Sequence, residues 1–552
     1  MRVDSDGAAV TDRVFDAVVI GAGASGCIAA YELTRAGLQV LLLDAGPELD
    51  PDRHFPIPPP RSHGLMDRVL LGLNGQHVQA RCFPCTRATR QFYVNDRDNP
   101  YTSAPGTTFN WFRGRQLGGR LHTWGRVVPR FSDWEFQPGR QGLPGPDWPI
   151  EYGDLAPFYA RVEQLLGVHG ERGGPPQLPD GEFIAPRPLT ELEVHVRDEV
   201  ARQWPTRRFR PAPVVRHNPD RVPVPLAAAL ETGNLTIRAD AVVKRIVVDA
   251  DWSRARGVEF IDRVSKKTHE ARGRRVLLCA SAIESVRILF NSACDQHPEG
   301  LGNSSGLLGR FLMDHCMVAV NGEVATGARP QSNALVRDAD GDPYDMASMY
   351  LYLPGFRNIT EPARSHYQGS FSILGSAGRP GRSFTLMAFG DMLPSAENRI
   401  RVDATRRDAW GIPAAQVECR HAANDRALIS DMFQTLGEIA SAAGLRVLSR
   451  FSDTGGVVRR VLYESLWRHV VTRYHAFHPG GAIHEIGGAR MGHDPGSSVV
   501  NRFNQCWDVP NLFVTDGSCF VSSGHQSHTL TIMAITARAC DFIVAQHRSG
   551  AD

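Results

Sequence analysis

The sequence predicts a mixed fold, α/β plus α+β, in which an antiparallel-sheet unit interrupts an α/β unit. Residues 15–46 run as a short apolar segment, a glycine-rich turn, a helical pattern and a second apolar segment, which is the order of a βαβ unit. Short alternating runs replace this pattern between 317 and 420, as is typical of an antiparallel sheet. Glycine and helix signals return from 480 onward, so the α/β unit is expected to be discontinuous.

The βαβ unit has the glycine spacing of a Rossmann-like dinucleotide site, in the turn GAGASG at 21–26. Gly21 permits a tight turn, Gly23 lets the backbone approach a pyrophosphate, and Gly26 lets the helix pack closely on the strand. The helix N-terminus then points unpaired N–H groups at the phosphates. Asp44 ends the second strand, where it can accept hydrogen bonds from a ribose diol and disfavours the 2′-phosphate of NADP. The unit therefore predicts dinucleotide binding.

A second glycine-rich segment follows, WFRGRQLGGRLHTWGRVVPRFSDWEF at 111–136. Its glycines bracket Leu117 and Trp124, a pattern that fits a backbone passing very close to a flat ligand.

Periodicity predicts the later elements in turn. We expect a helix at 147–168, a strand pair at 234–250, a buried strand feeding a helix at 273–293 and an amphipathic helix at 425–444. The Pro- and Arg-rich stretch 170–224 is predicted to be irregular. The expected cofactor domain comprises 1–170, 225–316 and 480–552, and the expected substrate domain comprises 171–224 and 317–479.

Bulk properties exclude several function classes. The 552 residues suffice for two or three domains, and a net charge of +2 gives no nucleic-acid footprint. The start is polar, and no apolar run has the length of about 18 residues that a membrane span needs. Ten scattered cysteines suit a reducing compartment, so we expect a cytoplasmic protein. The pair Cys82 and Cys85 is interpreted as two loop thiols, because a redox or metal site would need a second ligand pair or a thioredoxin-like context.

The C-terminal segment places histidines beside glycine-rich turns, in HEIGGARMG at 484–492 and GHQSHTLTIMA at 524–534. The unperturbed pKa of histidine suits proton transfer near neutral pH. His484 and His528 are therefore the candidate catalytic residues. His525 competes with His528, and His315 could line the pocket or cap a loop.

In this order the motifs resemble those of the glucose–methanol–choline (GMC) flavin oxidoreductases, over nearly the whole chain. The resemblance is carried by IGAGASGCIAAYEL with LLLDAG, GRQLGGRLHTWGR, LLCASAIESVRILFNS, HEIGGARMG, and VTDGSCFVSSG with HTLTIMA. It implies a discontinuous Rossmann-like FAD-binding domain with an inserted antiparallel-sheet substrate-binding domain. By this resemblance the residues that bind FAD are Gly21, Ala22, Gly23, Ser25, Gly26, Asp44, Ala45, Gly118, Gly119, Thr123, Trp124, Gly125, Val243, Ala280, Asp516, Gly517, Thr529 and Leu530; no metal is implied.

The resemblance also implies the reaction, which is oxidation of an alcohol to a ketone or aldehyde. His484 would take the hydroxyl proton, His528 would orient the substrate oxygen, and a hydride would pass to flavin N5. Some relatives attach FAD through a histidine four residues after the glycine pair. This chain has Thr123 there, with His122 one residue earlier, so we predict non-covalent FAD.

The expected substrate is a sugar-like molecule, and several other classes stay open as alternatives. The motif style resembles enzymes that oxidise a carbohydrate, glycoside or aminoglycoside-like molecule, whose site should gather several polar groups near His484. A non-sugar alcohol would instead need a narrow apolar pocket. A hydroxynitrile-lyase-type enzyme and a non-catalytic flavoprotein are the remaining alternatives. The electron acceptor is O₂, a quinone or a redox protein, and no nucleic-acid partner or membrane span is expected.

Overall fold

The computed structural model describes residues 13–56, 65–82, 84–324, 349–378, 383–451 and 478–550. The polar start and parts of the predicted substrate domain lie outside these ranges. Within them the predicted fold class is confirmed, whereas the domain boundaries stay a prediction.

A five-stranded parallel sheet forms the centre of the α/β unit. Its strands lie in the order Leu512–Val514, Val276–Leu278, Ala17–Ile20, Val40–Leu43 and Leu235–Arg238. The middle strands are buried on both faces, as expected for parallel strands covered by helices. Helix Ala24–Arg35 packs against the C-terminal helix Thr529–Ser549 and against helix Val224–Glu231. Distant parts of the chain therefore build one sheet.

The stretch 234–250 forms two strands, as predicted, but the prediction that they pair is wrong. Leu235–Arg238 joins the parallel sheet, whereas Ala241–Val248 joins a four-stranded sheet. The other strands of that sheet are Ala255–Asp262, Thr268–Gly273 and Val14–Phe15. The chain changes sheet at Asp240, whose φ of 57° permits the sharp turn.

A six-stranded antiparallel sheet, called here the six-stranded sheet, forms the second unit. Its order is Leu445–Phe451, Cys316–Val324, Ser383–Gly390, Phe371–Ala377, Leu351–Leu353 and Arg210–Pro211. Helix Ala423–Ala442 packs against it, which matches the amphipathic helix predicted at 425–444.

The prediction that 170–224 is irregular is wrong for its central part. Helix Glu191–Gln203 begins with a capping box, in which Thr190 and Glu193 each bond the backbone N–H of the other. Leu192, Val196 and Val200 form its buried face. This helix has a sequence signal of its own, the Thr-x-x-Glu capping box followed by apolar residues four apart.

Smaller elements complete the described fold. Two three-stranded sheets contain Arg399–Arg407, Pro413–Glu418 and Thr102–Ser103, and Phe183–Ile184, Val168–His169 and Val214–Val215. The further α-helices are Pro51–His54, Leu65–Leu73, Asp133–Phe136, Tyr152–Leu166 and Ala282–Asn291. Short 3₁₀ turns lie at Gln79–Arg81, Arg90–Phe92, Gly119–His122, Gly139–Gln141 and Gly517–Cys519.

Among the described residues, the C-terminal helix Thr529–Ser549 is long and apolar enough to cross a membrane by length and composition. About two thirds of its most apolar window is buried inside the protein (67%). Core helices have the same composition, so this is weak evidence for a span.

Candidate active site

A cavity of about 380 Å³ begins at the carboxyl end of strand Ala17–Ile20 and extends to His484 and His528. The carboxyl ends of parallel strands are where open α/β sheets bind ligands. The glycine turn at 21–26, the segment 119–127 and the C-terminal histidine loops all line this one cavity.

The glycine turn combines close packing with an open face. A Cβ atom on Gly21 would lie 2.6 Å from the carbonyl oxygen of Cys279, and one on Gly26 would lie 1.7 Å from that of Gly21. A Cβ on Gly23 would meet no atom within 4 Å, and Gly23 caps the following helix without any side-chain hydrogen bond. The free N–H groups of this helix start therefore face a space that a phosphate can enter.

Asp44 lies at the cavity wall and is almost fully buried. Its two oxygens accept the backbone N–H groups of Ala22 and Gly46, each at 2.8 Å. Burial raises the pKa of Asp44 to about 6, against the effect of these two hydrogen bonds. Each oxygen keeps a further lone pair for a ligand hydroxyl.

Asp516 lies on the same wall, near the opposite edge of the sheet. Its carboxylate accepts hydrogen bonds from the hydroxyl and backbone N–H of Ser518 and from the hydroxyl of Ser285. Burial raises the pKa of Asp516 above its ordinary value. These bonds fix the carboxylate in the turn that also presents Gly517 to the cavity.

Most of the residues predicted to bind a cofactor line the cavity, and three do not. The lining residues are Gly21, Ala22, Gly23, Ser25, Asp44, Ala45, Gly119, Thr123, Trp124, Gly125, Val243, Ala280, Asp516, Gly517 and Thr529. Gly26, Gly118 and Leu530 lie behind this wall. The hydroxyl of Ser25 bonds Thr515 and Thr536, both at 3.0 Å, so Ser25 offers a ligand its backbone rather than its side chain.

His122 and Thr123 face in different directions, as their one-residue offset suggests. The imidazole of His122 folds back over Gly118, with Nε2 2.9 Å from the carbonyl oxygen of Leu117. Its ring stacks on Phe92, with a centroid distance of 6.1 Å. Thr123 lines the main cavity and His122 does not.

Three histidines meet at the far end of the cavity. The ring centroids of His484 and His528 are 5.5 Å apart, and His315 lies 4.9 Å from the first and 4.4 Å from the second. Burial, followed by the neighbouring His528 and Arg120, lowers the pKa of His484 well below its ordinary value. Burial lowers the pKa of His528 to about 4. Both rings are therefore neutral at pH 7, and a neutral imidazole can accept a proton.

His525 does not compete with His528 for the cavity. Its ring packs against Gly355, on which a Cβ atom would lie 2.3 Å from Nε2. Its Nδ1 lies 3.4 Å from Oε1 of Glu135, and both side chains are fully buried. The competing role that the sequence allowed for His525 is therefore not supported.

Apolar side chains form one wall of the cavity beside His484. The six-stranded sheet contributes Met317, Leu374, Met387 and Phe389, and Met349 lies just before its strand Leu351–Leu353. Met317 pairs across strands with Phe389, and Met387 pairs with Leu374. The rings of Phe389 and His484 are 5.4 Å apart, so this apolar wall begins directly beside the histidine.

Comparisons with known proteins identify the family. A model described as FAD dependent oxidoreductase matches residues 16–51, and two models described as GMC oxidoreductase match 221–317 and 394–536. The chain belongs to the GMC oxidoreductase family. The resemblance inferred from its motifs is thereby confirmed.

Full-length relatives of this GMC oxidoreductase agree with the family models. It is 28% identical to 2-methyl-1,2-propanediol dehydrogenase of Mycolicibacterium austroafricanum, over 96% of this chain and 95% of the relative. It is 26% identical to the fructose dehydrogenase large subunit of Gluconobacter japonicus (97% and 98% covered) and to paromamine 6'-oxidase of Streptomyces fradiae (96% and 91% covered). The solved structure of pyridoxine 4-oxidase from Mesorbium loti superposes with a TM-score of 0.64 at 18% identity, covering 96% of this chain and 99% of that one. That last likeness shows the fold.

This GMC oxidoreductase is an FAD-dependent alcohol oxidoreductase. The cavity fits the cofactor, because the open helix start at Gly23 suits a pyrophosphate and the buried carboxylate of Asp44 suits a ribose diol. Bound FAD would supply the hydride acceptor.

The GMC oxidoreductase contains two contacts that sequence reasoning missed, both made to His484 by the dipeptide Asp314–His315. The carboxylate of Asp314 is fully buried and accepts the backbone N–H of His484 at 3.0 Å. The Nδ1 atoms of His315 and His484 are 2.8 Å apart. Since these contacts span about 170 residues of sequence (|i−j| of 169 and 170), no local pattern could have revealed them.

The pair Cys82 and Cys85 is buried in an apolar cluster with Leu71, Val78 and Phe112. Neither forms a disulfide bond, and the Cys85 N–H donates to the carbonyl oxygen of Cys82 at 3.2 Å. Among the residues that the structure describes, there is no group of three or more His, Cys, Asp or Glu that could hold a metal ion.

Proposed function

We propose that this enzyme oxidises an alcohol with His484 as the base that takes the hydroxyl proton. The meeting of His484 and His528 at the end of the cavity, with ring centroids 5.5 Å apart, carries the proposal. A base must lie within hydrogen-bond reach of the proton that it abstracts. His484 has its Nδ1 engaged by His315, which leaves Nε2 for a hydroxyl in the cavity.

His528 has a different role in this proposal. Its Nε2 donates to the carbonyl oxygen of Ser523 at 2.6 Å, which fixes the orientation of the ring. Phe131 and Phe520 pack on it edge to face, with centroid distances of 6.0 and 5.4 Å. A rigid ring opposite the base confines the hydroxyl and so aligns the reacting C–H bond.

The substrate that the cavity favours is a non-sugar alcohol with an apolar body. Met317, Met349, Leu374, Met387 and Phe389 would surround the group attached to the reacting carbon. Apolar walls bind apolar groups, and methionines adapt to irregular shapes. A sugar would leave several hydroxyl groups against this wall without hydrogen-bond partners, which is unfavourable. The relative named as a 2-methyl-1,2-propanediol dehydrogenase supports an alcohol of this kind.

A carbohydrate or aminoglycoside-like substrate is the second candidate. The relatives named as a fructose dehydrogenase large subunit and a paromamine 6'-oxidase support it. It is also the substrate class that the motif style favours.

Non-covalent FAD and a cytoplasmic location belong to the same proposal. The side chain of His122 points away from the cavity and is held by Leu117, which supports a cofactor bound without a covalent bond to this histidine. Cysteines that are mostly buried and form no disulfide bond support a reducing compartment.

The test is anaerobic mixing of the purified holoenzyme with a panel of alcohols while the flavin absorbance at about 450 nm is followed. Aliphatic and aromatic primary alcohols form one arm, and sugars and glycosides form the other. We expect the apolar alcohols to reduce the flavin. Reduction by carbohydrates alone would favour the second candidate, and a lyase would leave the flavin oxidised in both arms.

A further inference from the structure

His315 bonds both to the candidate base and to a backbone carbonyl. Its Nε2 lies 3.0 Å from the carbonyl oxygen of Gly524, and its Nδ1 lies 2.8 Å from Nδ1 of His484. A carbonyl oxygen only accepts hydrogen bonds, so Nε2 of His315 must carry the proton in that contact. Nδ1 of a neutral His315 is then an acceptor, and Nδ1 of His484 must donate to it.

This chain of hydrogen bonds determines where the lone pair of His484 lies. With its proton on Nδ1, a neutral His484 has its lone pair on Nε2, the atom left for the cavity. The opposite tautomer would place the lone pairs of both Nδ1 atoms against each other. The Gly524 carbonyl thus acts through His315 on the basicity of His484 at the cavity.

Asp314 holds the same histidine by its backbone. Oδ1 of Asp314 accepts the backbone N–H of His484 at 3.0 Å. Its Oδ2 accepts the backbone N–H groups of Gly480 and Ala482 at 2.7 and 3.1 Å. These three bonds fix the turn in which Ile483 adopts a φ of 65°, a conformation that a β-branched residue rarely adopts. A carboxylate that holds such a turn keeps the following side chain in one position.

We propose that Asp314 and His315 are positioning residues, which hold His484 in the tautomer and orientation that present its Nε2 lone pair to the substrate. This inference rests on the proposed function, in which His484 is the base. Neither residue touches the reacting atoms in this proposal; each acts through His484.

The surroundings keep the histidines neutral, as the hydrogen-bond argument requires. Burial, then the neighbouring His528 and His484, lowers the pKa of His315 well below its ordinary value. Among the described residues, other titratable groups near this cluster include His525 and Glu135 behind Gly524, and Glu485 and Arg120 beyond His484. Burial raises the pKa of Asp314 to about 7, and the nearby Glu485 adds to the effect.

Three substitutions of His315 separate the effect of its Nδ1 acceptor from the effect of its packing. His315→Asn keeps an oxygen near the position of Nδ1 that can accept from His484. His315→Gln keeps a donor near the position of Nε2 for the Gly524 carbonyl but removes that acceptor, and His315→Leu removes both. His297→Leu, in a histidine that interacts with Asp508 outside the cavity, is the matched control.

We expect the rate constant for anaerobic flavin reduction to stay within about 5-fold of the wild type in His315→Asn. It should fall roughly 10-fold to 100-fold in His315→Gln and His315→Leu, with FAD content unchanged. Equal losses in the Asn and Gln variants, or a wild-type rate in the Gln variant, would overturn the proposal. The Asn and Gln pair decides the matter even if His315→Leu does not fold.

A spectroscopic readout separates this inference from the proposed function. In the resting holoenzyme labelled with ¹⁵N-histidine, the resonances that vanish in His484→Gln belong to His484. We expect them to show a protonated Nδ1 and an unprotonated Nε2 in the wild type, and a changed tautomer in His315→Gln. A wild-type His484 protonated on Nε2 would overturn the inference, whether or not any alcohol reduces the flavin.

Discussion

Gly26 packs directly on Gly21, so closely that a Cβ atom on Gly26 would lie 1.7 Å from the carbonyl oxygen of Gly21. Gly23 lies between them in the sequence, and a Cβ atom on Gly23 would meet no atom within 4 Å. The turn therefore separates two requirements that a glycine can meet, which are packing within the protein and room for a ligand.

Gly26→Ala and Gly23→Ala should fail in different ways. We expect Gly26→Ala to lower the free energy of unfolding of the apoprotein by about 1–3 kcal/mol, because the turn must move. Gly23→Ala should leave that free energy within about 0.5 kcal/mol of the wild type but weaken FAD binding strongly, since its methyl group enters the pyrophosphate space. Denaturant unfolding of the apoproteins and FAD titration measure the two effects. Wild-type FAD affinity in Gly23→Ala would contradict the placement of the pyrophosphate.

Asp44→Asn should weaken FAD binding by roughly 10-fold to 100-fold, because hydrogen bonds to a charged group contribute about 1.5–3 kcal/mol. Asp240→Asn, at a half-buried aspartate that pairs with Arg263, should leave the affinity unchanged. Fluorescence titration of the apoproteins with FAD measures both. An unchanged affinity in Asp44→Asn would show that this carboxylate does not hold the ribose.

The same carboxylate predicts how the stability of the apoprotein varies with pH. Burial raises the pKa of Asp44 from 3.8 to about 6, so the folded protein binds its proton more tightly than the unfolded chain does. Its contribution to stability is complete below about pH 4 and is lost as the pH rises through about 6. Unfolding of the wild type and Asp44→Asn across this range checks the sign. A loss of this contribution on acidification would contradict it.

Arg130 and Glu163 form a buried ion pair, with Nε to Oε1 at 2.8 Å and Nη2 to Oε2 at 2.5 Å. Glu163 is fully buried and Arg130 nearly so. Glu163→Gln would leave a buried guanidinium without its carboxylate, at a cost of about 3–5 kcal/mol in the free energy of unfolding. Asp198→Asn, which removes an exposed ion pair with Arg197, should change it by less than about 1 kcal/mol. Denaturant unfolding measures both free energies, and equal stability of the two variants would contradict the cost expected for Glu163→Gln.

Local patterns predicted the parts of the fold that local physics determines. The βαβ unit at 15–46 and the strand and helix at 276–291 follow from apolar periodicity and glycine turns. Pairing between distant segments does not follow from periodicity. The sequence therefore could not tell that Leu235–Arg238 and Ala241–Val248 enter different sheets.

The candidate site likewise combines residues that local motifs indicate with contacts that only the folded chain creates. His484 and His528 were predictable because each lies beside a recognisable glycine turn. The proposed roles of Asp314 and His315 depend on the segment that leads into the six-stranded sheet meeting the C-terminal loop, a contact that exists only in the folded chain. The apolar wall of Met317, Met387 and Phe389 depends on cross-strand register in the same manner.

The pH dependence of flavin reduction tests the state of the base. Because burial, followed by the neighbouring His528 and Arg120, lowers the pKa of His484, the proposed base is neutral throughout the neutral range. We expect the rate constant for reduction to be flat from about pH 7 to about pH 9 and to fall only below about pH 6.5. Stopped-flow reduction at saturating alcohol measures it. A rate constant that still rises with pH above pH ~7 would show that another group with a higher pKa limits the reaction.

The central claim, that His484 is the base, is tested most directly by anaerobic flavin reduction in His484→Gln. The glutamine can still form hydrogen bonds but cannot take a proton at neutral pH. We expect the rate constant for reduction to fall by about 10²-fold to 10⁴-fold, with FAD content unchanged. His493→Gln, at an exposed histidine nine residues later, should reduce as the wild type does. A His484→Gln variant that keeps its FAD and reduces within about twofold of the wild-type rate would contradict the assignment.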